Sequence, residues 1–199
     1  MSSKHAIRRA LAYCSKAKAM LIPSQVDVTQ STRQQGKEDA SELTPETTPV
    51  SLELPYGRVV YIVEQDTQAE HYELVQRGDI ELASLSAAQL HTSALIQLTH
   101  FANQQLDLME HKNGLWELSV GAGFEASLVL IDELWTEVMP KFVGTNPLVA
   151  IPHQDRIIVG RTEQSDVLKA EIDSAQTAGM TMQFPKILQH QPSGWNILV

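Results

Sequence analysis

The sequence predicts an α+β fold: a mixed, mainly antiparallel sheet built from hairpin pairs, about three helices packed on it, and an N-terminal amphipathic helix. Three observations lead there. Strand-like runs come in adjacent pairs, as in 106–111 (LDLMEH) and 115–120 (LWELSV) around Lys112-Asn113-Gly114, and Asn-Gly is a strong hairpin signal. Helical periodicity fills the intervals between pairs instead of alternating with single strands, which argues against a parallel βαβ repeat. A chain of 199 residues, 43% hydrophobic and 20% charged, can bury a core of its own.

The N-terminal element spans residues 1–23. Ile7, Leu11 and Cys14, joined by Ala6, Ala10 and Ala17, recur at helical spacing. Residues 1–20 carry Lys4, Arg8, Arg9, Lys16 and Lys18 and no acid. Three readings fit this segment: a transit peptide, a helix that docks a partner or a membrane surface, and a short helix packed on the body with its bases in water. No continuous apolar stretch follows the charges, as a secretory signal requires. Residues 24–49 turn to Gln, Ser, Thr, Glu and Pro, with Val26, Val28 and Leu43 the large apolar residues before Thr48. Such a stretch buries too little to offset its ordering entropy. It reads as a flexible polar linker, with a turn of helix around 37–43, ahead of a single α+β domain over residues 50–199.

Within that domain, 58–64 (RVVYIVE) is a β-branched strand, and 71–76 (HYELVQ) is its antiparallel neighbour, closed by Arg77-Gly78-Asp79. A helix starts at Ser86, with Leu90, Ala94, Leu95, Leu98, Phe101 and Ala102 on one face. After the 106–120 hairpin, Gly121-Ala122-Gly123 lets the chain bend into a helix over 124–139, with Leu128, Ile131, Leu134, Trp135 and Val138 buried. Pro140 and Pro147 bracket a loop. Residues 148–151 and 156–161 pair around Pro152-His153-Gln154-Asp155. A helix over 165–178 faces Val167, Leu168, Ile172 and Ala175 inward and ends at Gly179. Short strands are expected at 180–184, 187–189 and 195–199, with a turn at Pro192-Ser193-Gly194.

Net charge is −9, and setting aside the first 20 residues leaves ten bases against 24 acids. So acidic a body argues against nucleic-acid binding through the main domain, because phosphate contacts need clustered Lys and Arg. It suits a protein partner, in particular a basic one. The single Cys14 rules out an internal disulfide and a cysteine-rich metal site. No apolar run approaches the roughly 18–20 residues of a transmembrane span. A cytoplasmic location follows as the expectation.

Groups that could carry chemistry are few. Gly121-Ala122-Gly123 before a helix could cradle an anion, but the third glycine of a dinucleotide fingerprint is missing, and Glu125 in the first turn would repel phosphate. His153, Asp155 and Arg156 share one hairpin. Two residues apart on an extended segment, His153 and Asp155 lie on one side, where a carboxylate could orient an imidazole. The competing reading is a polar turn in which Asp155 bonds backbone amides. Ser127 stands near the glycine bend, yet G-x-S-x-G is absent. His91, His100, His111 and His190 form no zinc motif, and Glu133 and Glu137 at i, i+4 suit a solvated helix face better than a metal. No cofactor is implied, and Trp116, Trp135 and Trp195 read as core and rim packing.

The string GAGFEASLVLIDELW followed by NPLVAIPHQDRIIV resembles the YtpQ-like family of bacterial proteins. The likeness is carried by Gly121, Gly123, Phe124, Glu125, Ala126, Ser127, Trp135, Pro152 and Asp155, and it is strongest over residues 115–160. Gln154 stands where the family pattern has an arginine, with Arg156 two positions on. The resemblance implies a bacterial cytoplasmic α+β domain and no particular reaction. Two functions are therefore expected to compete. One is a non-catalytic acidic protein-binding module of adaptor or toxin-neutralising (immunity) type. The other is a hydrolase-type enzyme using His153 and Asp155, with Glu125 and Arg156 as further candidates.

Overall fold

A computed structural model describes residues 3–26, 44–64, 72–179 and 184–198. Helices and antiparallel sheets combine in an α+β fold. Most of the polar stretch 24–49, including the turn expected at 37–43, lies outside the described residues, as do 180–183. The described residues of Met1–Met20, Ser24–Glu53 and Arg58–His100 form one compact unit, and those of Leu21–Pro23, Leu54–Gly57 and Phe101–Val199 form another. Residues 50–199, one domain in the sequence reading, contribute to both.

In the first unit, helix α1 (Ser3–Cys14) leads into strand β1 (Lys18–Ile22). The sequence reading continues the helix to residue 23. Instead Ala19 and Leu21 are fully buried in a strand and Ala17 just before it, so this segment is part of the fold and not a piece ahead of it. Strands β2 (Ser51–Leu54), β3 (Gly57–Glu64) and β4 (Tyr72–Leu74) complete a sheet of order β1-β3-β2 with β4 added antiparallel to β3. Arg77-Gly78-Asp79 is not a closing turn. It opens helix α2 (Arg77–Ala83), because the Gln76 N–H donates to Asp79 Oδ2 at 2.8 Å and caps the first turn. Helix α3 (Ala87–Gln105) begins where the sequence places it. Ser86 and Gln89 form a reciprocal capping box: the Ser86 N–H donates to Gln89 Oε1 at 2.8 Å and the Gln89 N–H to Ser86 Oγ at 3.2 Å. Leu90, Ala94, Leu98 and Ala102 are its buried stripe.

The second unit is built on a six-stranded antiparallel sheet of order β10-β9-β7-β8-β6-β5. Strands β5 (Asp107–Glu110) and β6 (Trp116–Ser119) form the Asn-Gly hairpin, with Gly114 at φ 76°. The 124–139 segment is not one α-helix. It is a 3-10 stretch (Glu125–Leu130), a break at Ile131, a π-helical turn (Leu134–Val138) and then a short helix α4 (Pro140–Val143). Pro140 therefore starts a helix instead of a loop, at the position where its missing N–H costs nothing. The physical reason for the irregularity is burial all round. Phe124 to Val129 are six consecutive buried residues, which one face of a regular helix cannot supply. The Leu128 carbonyl accepts both the Ile131 N–H at 3.1 Å and the Trp135 indole N–H at 2.8 Å.

Strands β7 (Leu148–His153) and β8 (Arg156–Gly160) pair around Gln154-Asp155 with a bulge. Helix α5 (Ser165–Thr177) lies on β7, β8 and β9, ending before Gly179 at φ 68°. Its Leu168 and Ile172 join Leu115, Leu148, Ala150, Ile158 and Ile187 in one buried cluster. Val167, expected inward, is 40% exposed, since it precedes Leu168 by one residue and points about 100° away from it. Strand β9 (Phe184–Gln191) contains the strand expected at 187–189 and extends it on both sides, the strand expected at 180–184 lies outside the described residues except for Phe184, and β10 (Gly194–Leu198) returns across Pro192-Ser193. Among the described residues no helix is long and apolar enough to cross a membrane.

Candidate functional site

The glycine bend does hold an anion, and the anion is the chain's own. Gly121, Ala122 and Gly123 have φ of 75°, 55° and 73°, a run of left-handed residues that turns backbone N–H groups to one side. Glu125 reaches back into it. Its Oε1 accepts the Gly121 N–H at 2.7 Å, the Val120 N–H at 3.2 Å and the Ser119 hydroxyl at 3.3 Å. With Glu125 only 3% exposed, an external phosphate would have to displace a bonded carboxylate of the same sign. The other oxygen, Oε2, is buried with no hydrogen-bond partner among the described residues. Glu125 thus acts as the staple of the bend.

One residue on, the bend meets the β7–β8 hairpin. The Ala126 N–H donates to the Gln154 carbonyl at 3.0 Å, and Gln154 is buried. Gln154 therefore serves as a backbone anchor with its side chain largely out of solvent. Ser127 is fully buried, and its hydroxyl oxygen accepts the Leu21 N–H at 2.9 Å. That bond ties the end of β1 to the 3-10 stretch and engages the Ser127 hydroxyl.

At the hairpin tip His153 and Asp155 are hydrogen-bonded through Nδ1 and Oδ1. Bonding at Nδ1 leaves Nε2 as the ring nitrogen a base would use. The environment differs from a catalytic triad, in which the orienting carboxylate is buried. Here the Asp155 side chain is 62% exposed and that of His153 26%, so water screens the pair. Arg156 points elsewhere. Its Nε donates to Glu117 Oε2 at 3.2 Å and one terminal nitrogen to Glu171 Oε2 at 3.0 Å, joining β6, β8 and α5. His111 Nε2 shares Glu117 Oε2 at 3.1 Å. Sequence reading misses this four-residue network, because its members lie 39 and 15 positions from Arg156.

A second feature is the solvated face that Glu133 and Glu137 form. Asp132 and Glu133, just ahead of the π-helical turn, and Glu137 within it are exposed, while Leu134 and Trp135 between them are buried. The turn is closed by the Met139 N–H donating to the Leu134 carbonyl at 2.8 Å. Asp132 also lies 3.7 Å from Nε2 of the buried His190, whose ring packs edge-on against Trp195 at 5.0 Å. Trp195 in turn meets Trp135 at 5.0 Å and donates its indole N–H to the Val129 carbonyl at 3.0 Å. The tryptophans anchor the turn that carries the carboxylates. Glu133 and Glu137 gather no third ligand: among the described residues no group of three His, Cys, Asp or Glu could hold a metal ion.

In the first unit the buried Tyr61 hydroxyl bonds His91 Nδ1 at 3.1 Å. Burial pushes the tyrosine up to about 12 and lowers the histidine. A neutral imidazole accepting from a neutral phenol is a satisfied core contact.

No family model, curated protein or solved structure matches the chain.

Proposed function

We propose that this chain is a non-catalytic protein-binding module, of adaptor or toxin-neutralising (immunity) type, whose acidic surface docks a basic partner protein. The observation that carries this reading is the row Asp132, Glu133 and Glu137, held within and just ahead of a short turn that the buried Leu134 and Trp135 lock in place. Charges presented on an anchored turn lose little conformational freedom on binding, so more of their attraction survives as affinity. The second unit supports the same reading, with twelve acids against six bases in its sequence. A field of that sign steers a basic partner and speeds its encounter. Membership of the YtpQ-like family and a bacterial cytoplasmic setting belong to this proposal, on the strength of the residues from Gly121 to Asp155 named above.

Affinity capture from a lysate of the source cells tests the reading. A basic protein should be retained by the wild type, eluted by salt, and lost when Asp132, Glu133 and Glu137 are all replaced by lysine. Retention of the same partner by that variant would refute the assignment of the face.

The hydrolase reading stays as the second proposal because His153 and Asp155 are bonded in the orientation a base needs. It requires turnover of an ester or amide substrate that disappears in His153→Ala. Turnover unaffected by that substitution would remove it.

A further inference from the structure

Helix α1 is built with its large apolar side chains outward. The residues it buries are small, Ala10 and Cys14, while Ile7 is 36% and Leu11 45% exposed. At 3.6 residues per turn, Lys4, Ile7, Arg8 and Leu11 are mutual i+3 and i+4 neighbours and form one contiguous patch. Lys4 and Arg8 are exposed, as are His5 and Arg9 farther round the helix. No acid occurs in the first 20 residues. Among the described residues, three acids of this part of the chain are engaged: Glu73 accepts the Tyr13 hydroxyl at 3.3 Å, Asp79 caps α2, and Glu64 pairs with Lys18 at 2.8 Å. Packing on α2 fixes the adjoining side of α1, where Ala10 and Cys14 lie three residues on from Ile7 and Leu11, so the basic and apolar patch is held at the edge facing solvent without a further folding cost.

We infer that this face of α1 binds a lipid surface carrying anionic headgroups. A single exposed helical strip with a narrow apolar shelf and adjoining bases matches a helix lying in the plane of a membrane interface. Capture of a helix in a protein groove usually uses anchors over more turns, at i, i+3, i+4 and i+7. Charge complementarity selects anionic over zwitterionic lipid. The acidic remainder of the chain opposes adsorption only where it comes within a Debye length, roughly 8–10 Å, of the surface. Attachment is therefore peripheral and reversible, depending on ionic strength.

The test is co-sedimentation of the full chain with phosphatidylcholine vesicles, with and without phosphatidylserine, at low and high salt. The expected result is binding to the phosphatidylserine vesicles alone, reversed by salt. Lys4→Gln with Arg8→Gln should weaken partition about thirtyfold, and Ile7→Ser with Leu11→Ser should weaken it comparably. All four side chains are exposed, and a thermal melt of each variant checks that the fold is retained. Failure of the wild type to bind at low salt overturns the inference. So does undiminished binding by either double variant. Binding to polyglutamate but not to vesicles would also overturn it, in favour of an acidic protein partner.

Discussion

Replacing Glu125 should separate a structural carboxylate from a functional one. In Glu125→Ala the N–H groups of Val120 and Gly121 lose their acceptor, and Val120 is 5% exposed, so water cannot readily replace it. One orphaned buried donor costs about 1–3 kcal/mol, and the cavity left by the side chain adds to it, giving a total of about 3–4 kcal/mol. Glu125→Gln is a different experiment. The amide oxygen can keep all three contacts of Oε1, although losing the negative charge weakens the two backbone bonds by about 1 kcal/mol each. Against that, the variant replaces a buried charged oxygen that has no donor among the described residues by a neutral amide nitrogen in the same place, and an unsatisfied neutral group costs about 1 kcal/mol less than a charged one. The net change for glutamine should lie within about 1 kcal/mol of zero. Urea unfolding followed by tryptophan fluorescence reads both variants. If glutamine proved as damaging as alanine, the carboxylate charge would be essential, and the account of Glu125 as a neutralisable staple would be wrong.

Further predictions concern the backbone and the buried phenols. Ala122→Gly should stabilise the chain by up to about 1 kcal/mol in the same unfolding assay, because Ala122 sits at φ 55° between two left-handed glycines. Gly160→Ala should destabilise it by about 1–3 kcal/mol, read as a lowered melting temperature. A Cβ there would lie 2.8 Å from Leu115 Cδ2 and 3.1 Å from Gln164 Oε1. Burial raises Tyr56 and Tyr61 from 10.0 to about 12, so the folded state holds their protons longer than the unfolded chain does. Their contribution is whole below pH 10.0 and is lost as pH rises through about 12, so stability should fall across that window. Tyr61→Phe should flatten part of the fall; an unchanged slope would contradict the burial argument.

The strand pairs and the two long helices are legible in the sequence because each has one signal at one scale. Asn113-Gly114 marks a hairpin, Ser86 and Gln89 mark a helix start, and Gly179 marks a helix end. The misread elements carry two signals in conflict. Ala17 continues the helical spacing of Ala10 and Cys14, which hides a buried strand that begins at Lys18. Arg77-Gly78-Asp79 reads as a turn until Gln76 is recognised as the cap that Asp79 satisfies. The glycine-to-tryptophan segment is apolar enough for a helix, but its buried residues are consecutive from Phe124 to Val129 and so lack a helical period. The candidate site divides in the same way. Glu125, His153, Asp155 and Arg156 stand out by residue type, whereas what each one bonds is set by strand register and helix packing. Glu125 turns to its own bend, and Arg156 to Glu117 and Glu171. Glu133 and Glu137 are legible as a solvated face from their spacing, whereas the approach of Asp132 to His190 at 3.7 Å is set by the fold.

The most direct measurement of the central claim is the affinity of one captured partner for three proteins: wild type, the Asp132→Lys, Glu133→Lys, Glu137→Lys triple variant, and His153→Ala. A binding module with its acidic face on the π-helical turn predicts at least roughly tenfold weaker binding by the triple variant, with the loss shrinking as salt screens the charges, and no change for His153→Ala. Wild-type affinity in the triple variant, with loss of binding on substitution of His153, would contradict it and return the hairpin to the centre of the protein's function.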